Sequence, residues 1–144
     1  MVTSKYDDLT EATELLLERD LEKHRRNLAE SSRLAGELAQ IDGLRQAAQS
    51  DTGSINARQI LGADTLWQGW LATRRAEILR HSAMARAQEA DSLARAKTAF
   101  SRVEAARKLA RQEAEAQQKR RLKAEADAND ALGILREGRA QGFS

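Results

Sequence analysis

The sequence predicts an all-α chain, a two-helix antiparallel coiled-coil hairpin whose C-terminal helix is the longer. Three observations lead there. The 144 residues contain no proline, so nothing forbids long uninterrupted helix. Large side chains are scarce: Tyr6, Trp67, Trp70, Phe100 and Phe143 are the only aromatic residues, and 32% of the chain is charged. A compact globule needs more apolar area than that to offset the entropy of ordering, whereas a chain of Ala, Glu, Lys, Leu and Arg with helical spacing reads as long helix. Finally, Leu and Ala recur at intervals of three and four on both sides of a single cluster of turn residues, Ser50 to Ser54. Disorder is the competing reading for so charged a chain; the regular recurrence of Leu and Ala argues against it.

The first helix is expected at about 3–49. Thr3 or Ser4 starts it, and Asp7 and Asp8 in its first turn complement the helix dipole. Leu17, Leu21, His24, Leu28, Ser31, Ala35 and Leu38 follow a 4-3 spacing, which marks a coiled-coil seam weakened by two polar positions. Gly36 and Gly43 cost the helix roughly 1 kcal/mol each against Ala.

The turn occupies 50–55. Asn56 with Gln59 then resembles a capping box, so the second helix starts near Asn56, with Asp64 as the alternative start. It runs to about 137, and the tail 138–144 frays. Trp67, Leu71, Arg74, Ile78, His81 and Ala85 form its first seam. After one change of phase, Leu93, Ala96, Phe100, Val103, Arg107, Ala110, Ala114, Gln117, Arg121, Ala124 and Ala128 form the second. A short turn makes the helices antiparallel neighbours within a single domain spanning 1–144. If Gln49 faces Ala57, facing residue numbers add to about 106, on the helical rise of 1.5 Å per residue. Leu28 then faces Ile78, Leu9 faces Lys97, and the first helix runs out opposite Val103, leaving about 50 Å of second helix without a partner in its own chain.

Composition excludes several chemistries. With no cysteine there is no disulfide framework. No apolar run has membrane-spanning length, and the acidic N-terminal stretch lacks the features of a secretory signal; the expectation is a cytoplasmic protein, although a type III export substrate would also lack that signal. No glycine-rich phosphate loop occurs. The register would bring His24 and His81 nearly opposite each other, but without further ligands a polar pair in the seam is the better reading than a metal site. Asp127 to Gly133 is faintly similar to a calcium loop, with Ala131 at a ligand position and no bidentate Glu after it. No cofactor, metal or catalytic constellation is expected, and the chain reads as a non-enzyme.

Two features carry functional weight. The net charge of +2 conceals an asymmetry: residues 1–50 hold 7 Lys/Arg against 10 Asp/Glu, and residues 51–144 hold 17 against 12. The sharpest basic block contains Arg102, Arg107, Lys108, Arg111, Lys119, Arg120, Arg121 and Lys123. It is a solvated face with i to i+4 pairs, a docking site for an acidic or apolar protein surface, or a phosphate binder. No aromatics interleave to stack on bases, which puts nucleic acid last.

The other feature is the pair Trp67 and Trp70. Three residues apart, they lie about 60° apart around the helix. With Leu66 and Leu71 they make a stripe wider than one thin partner helix covers. Packing against the end of the first helix near Leu38 and Ile41 is one reading. An exposed protein-binding anchor is the other, with Gly69 allowing close approach of another backbone.

The layout resembles the FliJ family, flagellar type III export stalk proteins and their virulence-system relatives. The likeness is carried by "GSINARQILGADTLWQGWLATRRAEI" (53–78) at the inter-helix turn and by the charged stretch "RVEAARKLARQEAEAQQKRRLKAEADANDAL". The resemblance implies a stalk at the inner-membrane export apparatus. The paired ends of the hairpin would enter a hexameric export ATPase, the tip would contact the cytoplasmic domain of the export gate, and export chaperones are further candidate partners. It implies that Leu66, Trp67, Trp70 and Leu71 face the gate, and that Arg102, Arg107, Lys108, Arg111, Lys119, Arg120 and Arg121 face the ATPase ring. The alternative is a structural coiled coil that self-associates through its basic C-terminal helix.

Overall fold

The computed structural model describes residues 5–50 and 57–142, with side chains from 62 onward in the second stretch. The expected turn at 51–55, the cap at Thr3 or Ser4 and the Asn56–Gln59 box lie outside the described residues. Two helices account for everything described, α1 (Lys5–Ser50) and α2 (Ala57–Gly142), with no strand among those residues. Asp7 and Asp8 sit in the first turn of α1, where the dipole favours carboxylates. α2 continues five residues beyond its expected end, through Gly133 and Gly138 to Gly142. The two glycines each cost about 1 kcal/mol, but Ala131, Leu132, Leu135, Arg136, Glu137 and Ala140 around them are strong helix formers, and Arg139 lies in the last turn, where a cation is favoured.

The chain divides into two compact units, residues 16–99 and residues 1–15 with 100–144, and both helices contribute to each. In the first unit the inward positions of α1 are Leu17, Asp20, His24, Asn27, Ser31, Leu34, Leu38 and Ile41, alternating by three and four. On α2 they are Asp64, Gln68, Leu71, Arg75, Ile78, Ser82, Ala85, Glu89, Ser92, Ala96 and Ala99. Leu17, His24, Ser31 and Leu38 are where the sequence put them. Leu21, Leu28 and Ala35, expected between them, are exposed, and Asp20, Asn27 and Leu34 take their places one residue earlier. On α2, Trp67 and His81 yield to Gln68 and Ser82 one residue later, and Leu93 to Ser92 one residue earlier. The inward rhythm of α2 therefore runs on without the expected change of phase. At most of these steps the expectation took the bulkier of two adjacent residues and the inward one is smaller or more polar; at Ala35 it took the smaller, and Leu34 is inward.

Leu34, Ile41, Leu71, Ile78 and Ala85 form the core of this unit, with Leu38 packed against it. At about 2 kcal/mol for each fully buried Leu or Ile, this cluster is its main apolar anchor. Polar contacts continue the pairing. Asn27 Nδ2 donates to the Gln88 carbonyl (3.2 Å), Ser31 Oγ to Glu89 (2.7 Å), Arg74 to Glu37 (3.2 Å) and Arg75 to Asp42 (2.8 Å). Ser92, 2% exposed, shares a hydrogen bond with His24 Nδ1 across the helices at 2.7 Å and lies 3.1 Å from the Glu89 carbonyl of its own helix. His24 thus meets Ser92 and not His81.

The numbers of these partners add to 111–120, not 106. Ile78 joins Leu34 and Ile41 and not Leu28. Sliding the helices to this register stacks Leu34, Leu38 and Ile41 of α1 on Leu71 and Ile78. The expected register would have set Ile41 against Thr65.

In the second unit Thr13, Val103 and Ala106 are buried, and Arg107 bonds Glu14 at 3.0 Å. Val103 is 1% exposed, so α1 does not run out opposite it as expected. The inward rhythm of α2 continues through Ala106, Ala110, Glu113 and Ala116, and every residue from Gln117 to Gly142 is exposed.

Candidate partner-binding surfaces

Trp67 and Trp70 lie on α2 just before the core residue Leu71. Their rings stack on each other, with centroids 5.3 Å apart and planes 11° from parallel. One helical turn brings residues three apart into reach, so the pair is made within α2. Trp67 remains 41% and Trp70 53% exposed, and neighbouring Leu66 is 77% exposed. Leu71 is different: it is 0% exposed and belongs to the core, which removes it from the surface stripe. Seven-residue periodicity explains the split, because Leu71 is one residue beyond Trp70 and that 100° step turns it onto α1. A Cβ built on Gly69 meets nothing within 4 Å, so this side of α2 is open.

The tryptophans head a charged stripe. Trp67, Trp70, Arg74 and Glu77 follow one another at intervals of three and four. Arg74 bonds both Glu77 and Glu37, and Arg33 bonds Glu37 and Glu30. The hydrogen bond from Arg33 holds the Glu30 carboxyl below the usual carboxylate range, with Arg33 and His81 adding attraction; the same bond raises Arg33. A flat aromatic pair beside fixed, alternating charges offers a partner an apolar platform with a polar rim, the usual anatomy of a protein-binding hot spot.

The basic set divides. Arg102, Arg107, Lys108 and Arg111 are exposed on the stretch of α2 whose inner side is still buried against α1. Arg107 is committed to Glu14 and Glu104, and the Glu14 bond is the main cause of its raised pKa. Lys119, Arg120 and Arg121 lie instead where all residues are exposed, with Arg120 3.5 Å from Glu113. Leu132, Ile134 and Leu135 share that stretch and are 53%, 70% and 66% exposed. Their three-residue spacing from Ala131 and Leu132 was the available signal, and the density of charge around them hid it.

Asp127 to Gly133 is exposed α-helix and so lacks the loop backbone that a calcium site requires. Among the described residues no group of three or more His, Cys, Asp or Glu side chains is placed to hold a metal, and no helix is long and apolar enough to cross a membrane. Compared with known protein families, curated proteins and solved structures, the chain matches none of them.

Proposed function

We propose that the chain is an antiparallel coiled-coil hairpin acting as a non-enzymatic coupling element, which links the hexameric ATPase of a type III export apparatus to the cytoplasmic domain of its export gate. Supporting the hairpin are the core residues shared by α1 and α2, the 4-3 rhythm of inward positions, and cross-helix bonds that run from His24–Ser92 at one end to Asp42–Arg75 at the other. The observation that carries the functional reading is the stacked, half-exposed Trp67–Trp70 pair beside Leu66, a rigid apolar anchor at a helix surface. In this reading it meets the gate, at the inner membrane's cytoplasmic side. Lys119, Arg120 and Arg121, on the bare stretch of α2, meet the ATPase ring; the four earlier cations contribute less, since Arg107 is held by Glu14. Long-range attraction by such cations favours fast, salt-sensitive encounter over tight apolar contact.

Co-purification tests this directly. With the export ATPase and the gate domain as baits, Trp67→Ala/Trp70→Ala loses the gate and keeps the ATPase. Lys119→Ala/Arg120→Ala/Arg121→Ala does the reverse, and both variants keep wild-type helicity. Capture of neither bait by the wild-type chain refutes the export role.

A further inference from the structure

The unit formed by residues 16–99 has two unlike sides. Each residue turns a helix by 100°. Reversing a helix reverses that rotation and also the direction its seam faces, so in an antiparallel pair the positions just after the seam turn to the same side on both helices. On α1 those positions include Leu21, Leu28 and Ala35, and on α2 Leu79, Ala83, Ala90 and Leu93; all are exposed. One groove of about 280 Å³ is lined by Ala35, Leu79, Ala83 and Arg86 together, which places residues from both helices on this side. The positions just before the seam are mostly charged, with the Glu30, Arg33, Glu37, Arg74 and Glu77 network at their centre; Leu16, Met84 and the Trp67–Trp70 pair are the large apolar residues there. The leucines at 21, 28, 79 and 93 are between 36% and 45% exposed, too many on one side to be the scattered apolar residues of an ordinary surface.

We infer that this apolar side is the interface for a second copy of the chain, giving a four-helix dimer; the inference rests on the antiparallel pairing proposed above. The area suits it: about 30 residues of helix is about 45 Å. Two helices side by side are about 20 Å wide, so each copy offers on the order of 900 Å², against about 800 Å² per partner in stable complexes. The relief is self-complementary. Leu28 is a bulge, and the groove beside Ala35 and Ala83 is a hollow one heptad further along α1. A two-fold axis midway between them sets Leu28 of each copy over the groove of the other, the reciprocal contact an isologous interface demands. Arg86 and Glu89 at the groove rim supply opposite charges to pair across the axis.

Light scattering on the purified full chain tests the inference. The wild type gives twice its 16.0 kDa monomer mass. Leu28→Lys/Leu79→Lys weakens self-association at least about 100-fold with helicity retained, while Met84→Lys, on the charged side, leaves the dimer intact. A wild-type mass of one copy at every concentration overturns the inference, as does a dimer that survives the double substitution. Because the chain has no cysteine, His24→Cys/Ser92→Cys separates the two readings. An intramolecular disulfide in a chain that stays monomeric overturns the dimer alone, and failure to form that bond overturns the helix pairing with it.

Discussion

Leu71 and the two tryptophans are neighbours in sequence and opposites in structure, which makes them a sharp test of where the stability of residues 16–99 resides. Leu71 is fully buried among Leu34, Ile41 and Ile78. Leu71→Ala removes its apolar contacts and leaves a void that two helices only partly collapse; such changes cost about 2–5 kcal/mol, and about 3 kcal/mol is expected here. At roughly 2–4 °C per kcal/mol for a chain of this size, the thermal midpoint falls by roughly 6–12 °C. Trp67 and Trp70 pack on each other and leave about half of each ring in water. Replacing either by Ala loses a stacking contact of about 1 kcal/mol and lowers the midpoint by roughly 2–4 °C. Far-UV circular dichroism against temperature reads all three variants. A tryptophan variant that melts as early as Leu71→Ala makes the pair a core element and removes the partner-binding surface.

Gly36→Ala stabilises the chain by about 1 kcal/mol, because a Cβ there meets nothing within 4 Å; unchanged or lower stability in urea unfolding contradicts the open placement of that face. Val103→Asp places a charge at a 1% exposed position and melts residues 5–15 from α2, seen as faster amide exchange there; under the expected register, with α1 ending opposite Val103, exchange in that segment stays unchanged. Glu30 is held below its usual pKa by the Arg33 bond, so the stability it contributes is present above the unfolded-state pKa and is lost as pH falls through the lower folded one. Glu30→Gln is therefore less stable than the wild type at neutral pH, and the gap closes in acid; a gap that persists at low pH shows the carboxylate has no such role. His24→Leu/Ser92→Leu raises the thermal midpoint while broadening the distribution of cross-helix spin-label distances, since the polar pair fixes alignment and contributes little to affinity.

The two helices were legible because their signals are local: no proline, one turn cluster, and Leu and Ala at helical intervals. The seam was half legible. Most correctly placed positions, such as Leu17, Leu38, Leu71 or Ile78, are ones where an apolar residue coincides with the inward direction; His24 and Ser31 are polar positions that the same spacing placed correctly. Most misses have a larger apolar residue beside the true position: Leu21 beside Asp20, Leu28 beside Asn27, Leu93 beside Ser92, Phe100 beside Ala99; Ala35, expected in place of the buried Leu34, is the reverse case. Local spacing does not say which of two adjacent stripes faces the partner helix, because both repeat every seven residues. The register failed for a related reason. The separation of the helices in sequence constrains alignment only loosely, whereas the stacking of Leu34 and Ile41 on Leu71 and Ile78 constrains it tightly, and that stacking depends on which stripe is inward. At the candidate site the stripe of Leu66, Trp67, Trp70 and Leu71 looked continuous in sequence, and the same one-residue step divides it into surface and core.

The polar content of the seam bears on how such a chain works. Thr13, Asp20, His24, Asn27, Ser31, Glu89 and Ser92 all occupy inward positions that leucine would fill more favourably. No buried side-chain nitrogen or oxygen among the described residues lacks a hydrogen-bond partner, so these groups are satisfied in the alignment they have. Ser31, for instance, donates to Glu89 across the seam. In a shifted alignment His24 and Ser31 lose their partners on the other helix, and a buried group left unsatisfied costs about 1–3 kcal/mol. An all-leucine seam would slide between registers one heptad apart at little cost. The polar seam gives up apolar stabilisation and makes the wrong registers expensive. It thereby fixes where the Trp67–Trp70 platform stands relative to α1, which the proposed coupling role requires.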